Sequence, residues 1–115
     1  MGKVVLLVAL VASMGSLHIR ANPANDQCAG AIPLVPGVAV TVDTTTATST
    51  GDPVPACQTV FGNGVWFTYT PNETAAVLVS SCGSSFDTVI GIYTGTCGAL
   101  TQIACNDDSG PDVTV

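Results

Sequence analysis

The sequence predicts an all-β, antiparallel fold, and three observations carry that expectation. Threonine and valine dominate behind the first twenty residues, glycine and proline recur at short intervals, and charged residues are too sparse for the solvated faces of amphipathic helices. At 115 residues one domain is expected, with a single core and little reserve. Charge is divided unevenly along the chain. Lys3, His18 and Arg20 are its only basic side chains, and all eight acidic residues lie beyond them. Behind Arg20, then, the acids have no side-chain cation to pair with. That excludes nucleic acid and anionic membranes as partners, because Lys and Arg contacts supply most of the affinity for both. It also excludes Ser-His and Cys-His nucleophiles, Schiff-base lysines and phosphate clamps, so no catalytic residue is expected.

Residues 1–21 have the order of a secretory signal peptide. Lys3 supplies the positive start, Val4 to Ala12 is an unbroken apolar run, and Ser13, Ser16, His18 and Arg20 lead to the small residue Ala21. The run is too short to span a bilayer, which takes about 20 residues. Cleavage after Ala21 leaves Ile19 at the third position back, and Ser13 and Ser16 mark other sites; the alternative is an anchor that is retained. The expectation is a secreted, extracellular protein with no membrane contact once the leader is removed. All five cysteines lie in the mature part, which suits an oxidising compartment and a small domain needing covalent support. A zinc site is excluded, because there is no Cys-x-x-Cys pair and no histidine after residue 20.

Residues 22–36 are a Pro-interrupted leading segment, and 37–115 form the domain. The first strand is expected after Gly37, where Val38, Val40 and Val42 alternate with Ala39 and Thr41. The threonine-rich stretch from Asp43 to Thr50 reads as a strand or edge with hydroxyls outward, or else as an O-glycan or surface-binding run. Pro53 and Pro55 make 51–56 a loop. Val65 to Thr70 carries bulk on both faces and reads as a central strand ended by Pro71 and Asn72. Asn72-Glu73-Thr74 there is a glycosylation sequon, meaningful in a eukaryotic secretory host. Ala75 to Ser81 is the next strand, Cys82 to Ser85 a turn, Asp87 to Thr94 a strand, Gly95 to Ala99 a turn and Leu100 to Cys105 a strand. Together they predict a meander or part of a Greek key.

Several blocks in this order resemble a known family. Asn25-Asp26-Gln27-Cys28 with Ala31-Ile32, Val65-Trp66-Phe67-Thr68-Tyr69, Ser81-Cys82-Gly83-Ser84 with Phe86-Asp87-Thr88-Val89-Ile90, and Ala104-Cys105-Asn106-Asp107-Asp108 are similar to the pre-peptidase C-terminal β-sandwich domain of secreted bacterial proteins, in its cysteine-bearing version. The resemblance covers about residues 25 to 115 and implies a jelly-roll-like sandwich that serves larger exported proteins as a non-catalytic accessory module. Where the family continues with further strands this chain stops at Val115, so an incomplete sandwich, part of a longer reading frame, is expected. Such a sandwich exposes unpaired edges.

If Thr94 faces Leu100 across the last hairpin, then Ile92 faces Gln102, Val89 faces Cys105 and Asp87 faces Asp107. Like charges directly opposite repel, by roughly 1 kcal/mol in water at about 5 Å and roughly 3 at an effective dielectric of 20. A bound cation relieves this, and Ca2+ suits carboxylate oxygens. Asp87, Asp107 and Asp108 are the candidate ligands, and the resemblance adds Asp26. The competing reading is that Asp107 and Asp108 cap the turn into Ser109-Gly110-Pro111. The same register separates Cys97, at the turn tip, from Cys105. The expected disulfides are Cys28 with Cys57 and Cys82 with Cys105, leaving Cys97; a curled turn taking Cys97 to Cys105 is the alternative.

The function expected is therefore a binding, adhesion or accessory module, whose partner is an extracellular protein, a glycan or a flanking domain. A purely structural spacer is the alternative. A carboxylate hydrolase is the remaining reading: Asp87-Thr88 matches half of an aspartic protease motif, but Val89 stands where that motif requires glycine. Trp66 and Tyr69 are expected in the core rather than at a sugar-stacking surface.

Overall fold

The computed structural model describes residues 4–10, 21–108 and 112–115. Its strands are β1 (Val4–Leu10), β2 (Ile32–Pro33), β3 (Gly62–Tyr69), β4 (Leu78–Ser80), β5 (Thr88–Thr96), β6 (Ala99–Asn106) and β7 (Asp112–Thr114), with one 3-10 turn at Cys28–Gly30. The fold is all-β. Five strands make one sheet in the order β2-β3-β1-β5-β6, and β4 pairs with β7 in a second, two-stranded sheet.

The interior is built on β3 and β5, where β-branched and aromatic residues run from Val65 to Tyr69 and, broken only by Gly91, from Thr88 to Thr94. Val65, Trp66 and Phe67 are buried, as are Val89, Ile90, Ile92 and Tyr93. Because side chains alternate along a strand, these residues serve two faces. Val65, Phe67, Ile90 and Ile92 pack with Ala47 on one face, where Val79 and Val115 join them from the region of the second sheet. Trp66 and Tyr93 share the other face with Cys28, Ala31, Phe61 and Leu100. Trp66 is therefore a core residue, as expected, whereas Tyr69 is only half-buried.

The hairpin between β5 and β6 forms where glycine and turn chemistry predict it. Thr96 pairs with Ala99 around Cys97 and Gly98, and Gly98 has φ 87, a conformation that costs glycine little. The register differs from expectation. Gly95 rather than Thr94 faces Leu100, and a shift between Ile92 and Tyr93 brings Ile92 opposite Ala104 and Gly91 opposite Cys105. A bulge of this kind is decided by packing on the two faces and leaves no mark in the alternation. Asp87 consequently lies before β5, outside the ladder that was to set it against Asp107.

Three other expectations are corrected. Val38 to Val42 is not a strand: Val38 is 59% exposed and Val40 39% exposed, and Val42 alone of the three valines packs against the core. The threonine run folds as a turn. Thr45 donates its backbone N–H and its hydroxyl to Asp43 Oδ1, and Ala47 N–H donates to Thr44 O at 3.0 Å, local bonds that compete with a ladder. Asn63, with φ 56, donates to the Thr44 and Thr45 carbonyls and pins that turn to β3. The second half is not a simple meander either, because β1 stands between β3 and β5 and pairs antiparallel with both. Lys3, and Ser13, Ser16, His18, Ile19 and Arg20 of the leader reading, lie outside the described residues.

The disulfides are Cys28–Cys97 and Cys57–Cys105, each with Cα atoms 5.8 Å apart, and Cys82 is free. Neither expected pair, Cys28 with Cys57 or Cys82 with Cys105, is formed. The loop before β3 explains both departures. It runs along β6, where Ala56 N–H donates to Gln102 Oε1 at 3.1 Å and Gln58 Nε2 to Asp107 Oδ2 at 3.0 Å, so Cys57 meets Cys105. The hairpin tip, with Leu100 in the Trp66 cluster, meets the turn that carries Cys28.

Candidate metal centre

Asp87, Asp107 and Asp108 come together despite the changed register. One carboxylate oxygen from each lies within 4.8 Å of the others; Asp87 and Asp108 are exposed and Asp107 is half-buried. They line an open depression with Ser81, Cys82, Ser84 and Phe86. Two segments position them. The 81–87 loop is closed at its base by a 2.7 Å hydrogen bond between the Ser81 and Thr88 hydroxyls, and Ser84 N–H donates to Ser81 O at 3.1 Å. Gly83 sits at its tip with φ 91. Asp107 and Asp108 follow β6 directly, where Gln58 holds Asp107 beside the Cys57–Cys105 disulfide.

The chemistry available is that of oxygen donors. Three carboxylates in mutual reach, with no basic side chain behind Arg20, concentrate negative charge that a hard divalent cation would offset.

Asp26 is not part of this cluster. Its carboxylate accepts from Asn22 Nδ2 at 2.9 Å, from Gln27 Nε2 at 3.3 Å, and from both the backbone N–H and the hydroxyl of Thr48. Burial pushes its pKa up, but these donors outweigh that and hold it below the usual carboxylate value. Asp26 is thus a staple between the leading segment and the threonine turn. Its neighbour Asn25, fully buried, lies along the edge of β3: Asn25 Nδ2 donates to Trp66 O at 2.9 Å and Trp66 N–H donates to Asn25 O at 2.8 Å. Asn72 is exposed on the bend after β3, open to the modification its sequon suggests.

One group was not legible in the sequence. Asp52 Oδ1 accepts from Trp66 Nε1 at 3.0 Å, while Asp52 Oδ2 and the Tyr93 hydroxyl are buried without hydrogen-bond partners among the described residues. Burial raises the Asp52 pKa, opposed by the Trp66 bond and assisted by the charge of Asp26; burial and then Asp52 raise that of Tyr93. The Trp66 and Tyr93 rings lie 6.1 Å apart, tilted by 47°. An Asp beside Pro53 gives only a loop signal, and nothing local shows that a distant indole will reach it.

Among the described residues no helix is long and apolar enough to cross a membrane. Comparison of the chain with protein families, with curated proteins and with solved structures returns no match.

Proposed function

We propose that the chain is an exported, non-catalytic module of the pre-peptidase C-terminal β-sandwich kind, which serves a larger extracellular protein as an accessory or binding domain. The observation that supports this reading best is the pair of disulfides, which close loops of 69 and 48 residues around a charge-poor sheet. Such a frame persists in oxidising compartments and supports domains with small cores. Its partners are an extracellular protein, a glycan or the flanking domains of the same chain.

Calcium is the cation proposed for Asp87, Asp107 and Asp108. The donor set fits it, being all oxygen, acidic and partly exposed. Calcium would supply the positive charge that the chain behind Arg20 lacks, tying the 81–87 loop to the end of β6. Millimolar calcium is expected to raise the melting midpoint of the wild type and to leave Asp87→Asn/Asp107→Asn unmoved. An unchanged wild-type midpoint sinks the site. Sequencing the amino terminus of the exported protein tests the leader separately, and a start at Met1 or Gly2 contradicts its removal.

A further inference from the structure

We propose that the channel between β3 and β5 is a strand-acceptor site, which β1 fills in the full chain and which opens, once the leader is removed, to an extended uncharged apolar strand from another polypeptide. Physiological use of the channel rests on the leader reading above; its existence does not. The backbone geometry carries the argument. β1 is antiparallel to both neighbours, with Val4 opposite Tyr69 and Thr94, Leu7 opposite Trp66 and Gly91, and Leu10 opposite Gly62 and Thr88. β3 and β5 therefore run parallel to each other, about 9.5 Å apart at ordinary strand spacing. Without β1 each turns a row of N–H and C=O groups toward the gap.

At Trp66–Thr68 of β3 and Ile90–Thr96 of β5 the other edge is already occupied. The outer edge of β3 is taken by Asn25 and by β2, and that of β5 by β6. Both disulfides tie chain that precedes β3 to the β5–β6 hairpin. Cys28 follows Asn25, which lines β3, and Cys57 stands on the loop that runs along β6 and leads into β3, while Cys97 and Cys105 belong to the hairpin. Trp66 and Tyr93 also meet across the gap. Loss of β1 thus leaves two halves tethered and aligned, a preorganised site for strand addition. The partner's chemistry follows from the walls. Gly62–Tyr69 and Thr88–Thr96 carry no charged side chain, and the buried residues Val65 to Phe67 and Val89 to Tyr93, with Asp52 beside Trp66, leave an anion no counter-charge.

The chain provides its own test, because Lys3 and Arg20 are its only lysine and arginine. Trypsin cuts the full chain after these two residues and releases 4–20 as a separate peptide beside an uncut 21–115. The peptide is expected to co-elute with 21–115, to exchange with a fluorescent copy of itself, and to be displaced by a Leu7→Asp copy at least about 100-fold less well. Those amides of Val65–Tyr69 and Thr88–Thr94 that face β1, unlike Trp66 N–H, which Asn25 holds, should keep the slow hydrogen exchange of the intact chain only while the peptide is bound. Should the nicked protein precipitate, excess 4–20 peptide is expected to keep it soluble, and failure to do so overturns the proposal. So does a peptide that leaves while those amides stay protected, in a monomer closed on itself or in a dimer of 21–115. Equal binding of the Leu7→Asp copy overturns the stated partner chemistry.

Discussion

The chain contains two Asn-Asp pairs beside disulfide cysteines, Asn25-Asp26 before Cys28 and Asn106-Asp107 after Cys105, and they have opposite fates. Asn25 and Asp26 are both buried, and four donors from Asn22, Gln27 and Thr48 surround the Asp26 carboxylate. Asn106 is buried as well, but Asp107 takes one side-chain donor, from Gln58, and stands with two further carboxylates at an open surface. Identical dipeptides thus become a structural staple in one place and a concentration of unneutralised charge in the other. What differs is the supply of N–H and O–H donors from segments distant in sequence, which decides whether a buried carboxylate is stabilised or repelled.

Removing the disulfides is the most severe way to probe this comparison. Cys28→Ser/Cys97→Ser and Cys57→Ser/Cys105→Ser are each expected to cost about 2–4 kcal/mol in urea unfolding, and to differ by only a few tenths of a kcal/mol on loop length. A gap above about 1 kcal/mol between them means that one end of the molecule is held by packing and the other chiefly by its covalent link. Next in size is Asp26→Ala, expected to cost about 1–3 kcal/mol by stranding the Thr48 donors, against about 0.5 kcal/mol or less for Asp107→Ala. Equal costs for the two would erase the contrast.

The pH dependence sharpens it further. Because the folded pKa of Asp26 is lowered, its stabilisation is present above the unfolded value and is lost as the pH falls through the folded one. Asp52 has the opposite sign: its folded pKa is raised, so its contribution is present below the unfolded value and is lost as the pH rises through the folded one. Asp26→Asn should therefore flatten the acid limb of a stability profile, and Asp52→Asn should reduce the loss on its rising side. The smallest effect is expected for Asp87→Asn in calcium-free buffer, a slight rise in melting midpoint that vanishes near about 1 M salt, where the screening length is about 3 Å.

Much of the strand structure was legible because its causes are local. Val65 to Thr70 announces β3 through bulk on both faces, Asp87 to Thr94 announces β5, and Gly95 to Ala99 announces the turn to β6. The Val38 to Val42 alternation misled for the same reason: period two gives a chain the means to be a strand, but no partner edge is offered to it. The acidic site was half legible. Asp87, Asp107 and Asp108 do converge, although the ladder expected to join them is displaced by a bulge, and Asp26 is taken by Thr48 instead.

The sequence by itself determined the all-β class, the central strands, the hairpin turn and the absence of any basic side chain behind Arg20. These follow from composition, alternation and turn chemistry, which act between near neighbours. Tertiary structure alone decided which cysteines pair, which Asn-Asp dipeptide is buried, and that an apolar run at the start of the chain lies between β3 and β5. Each of those outcomes depends on closing loops of tens of residues, and the contacts that select one closure over another come from the packed faces of the sheet.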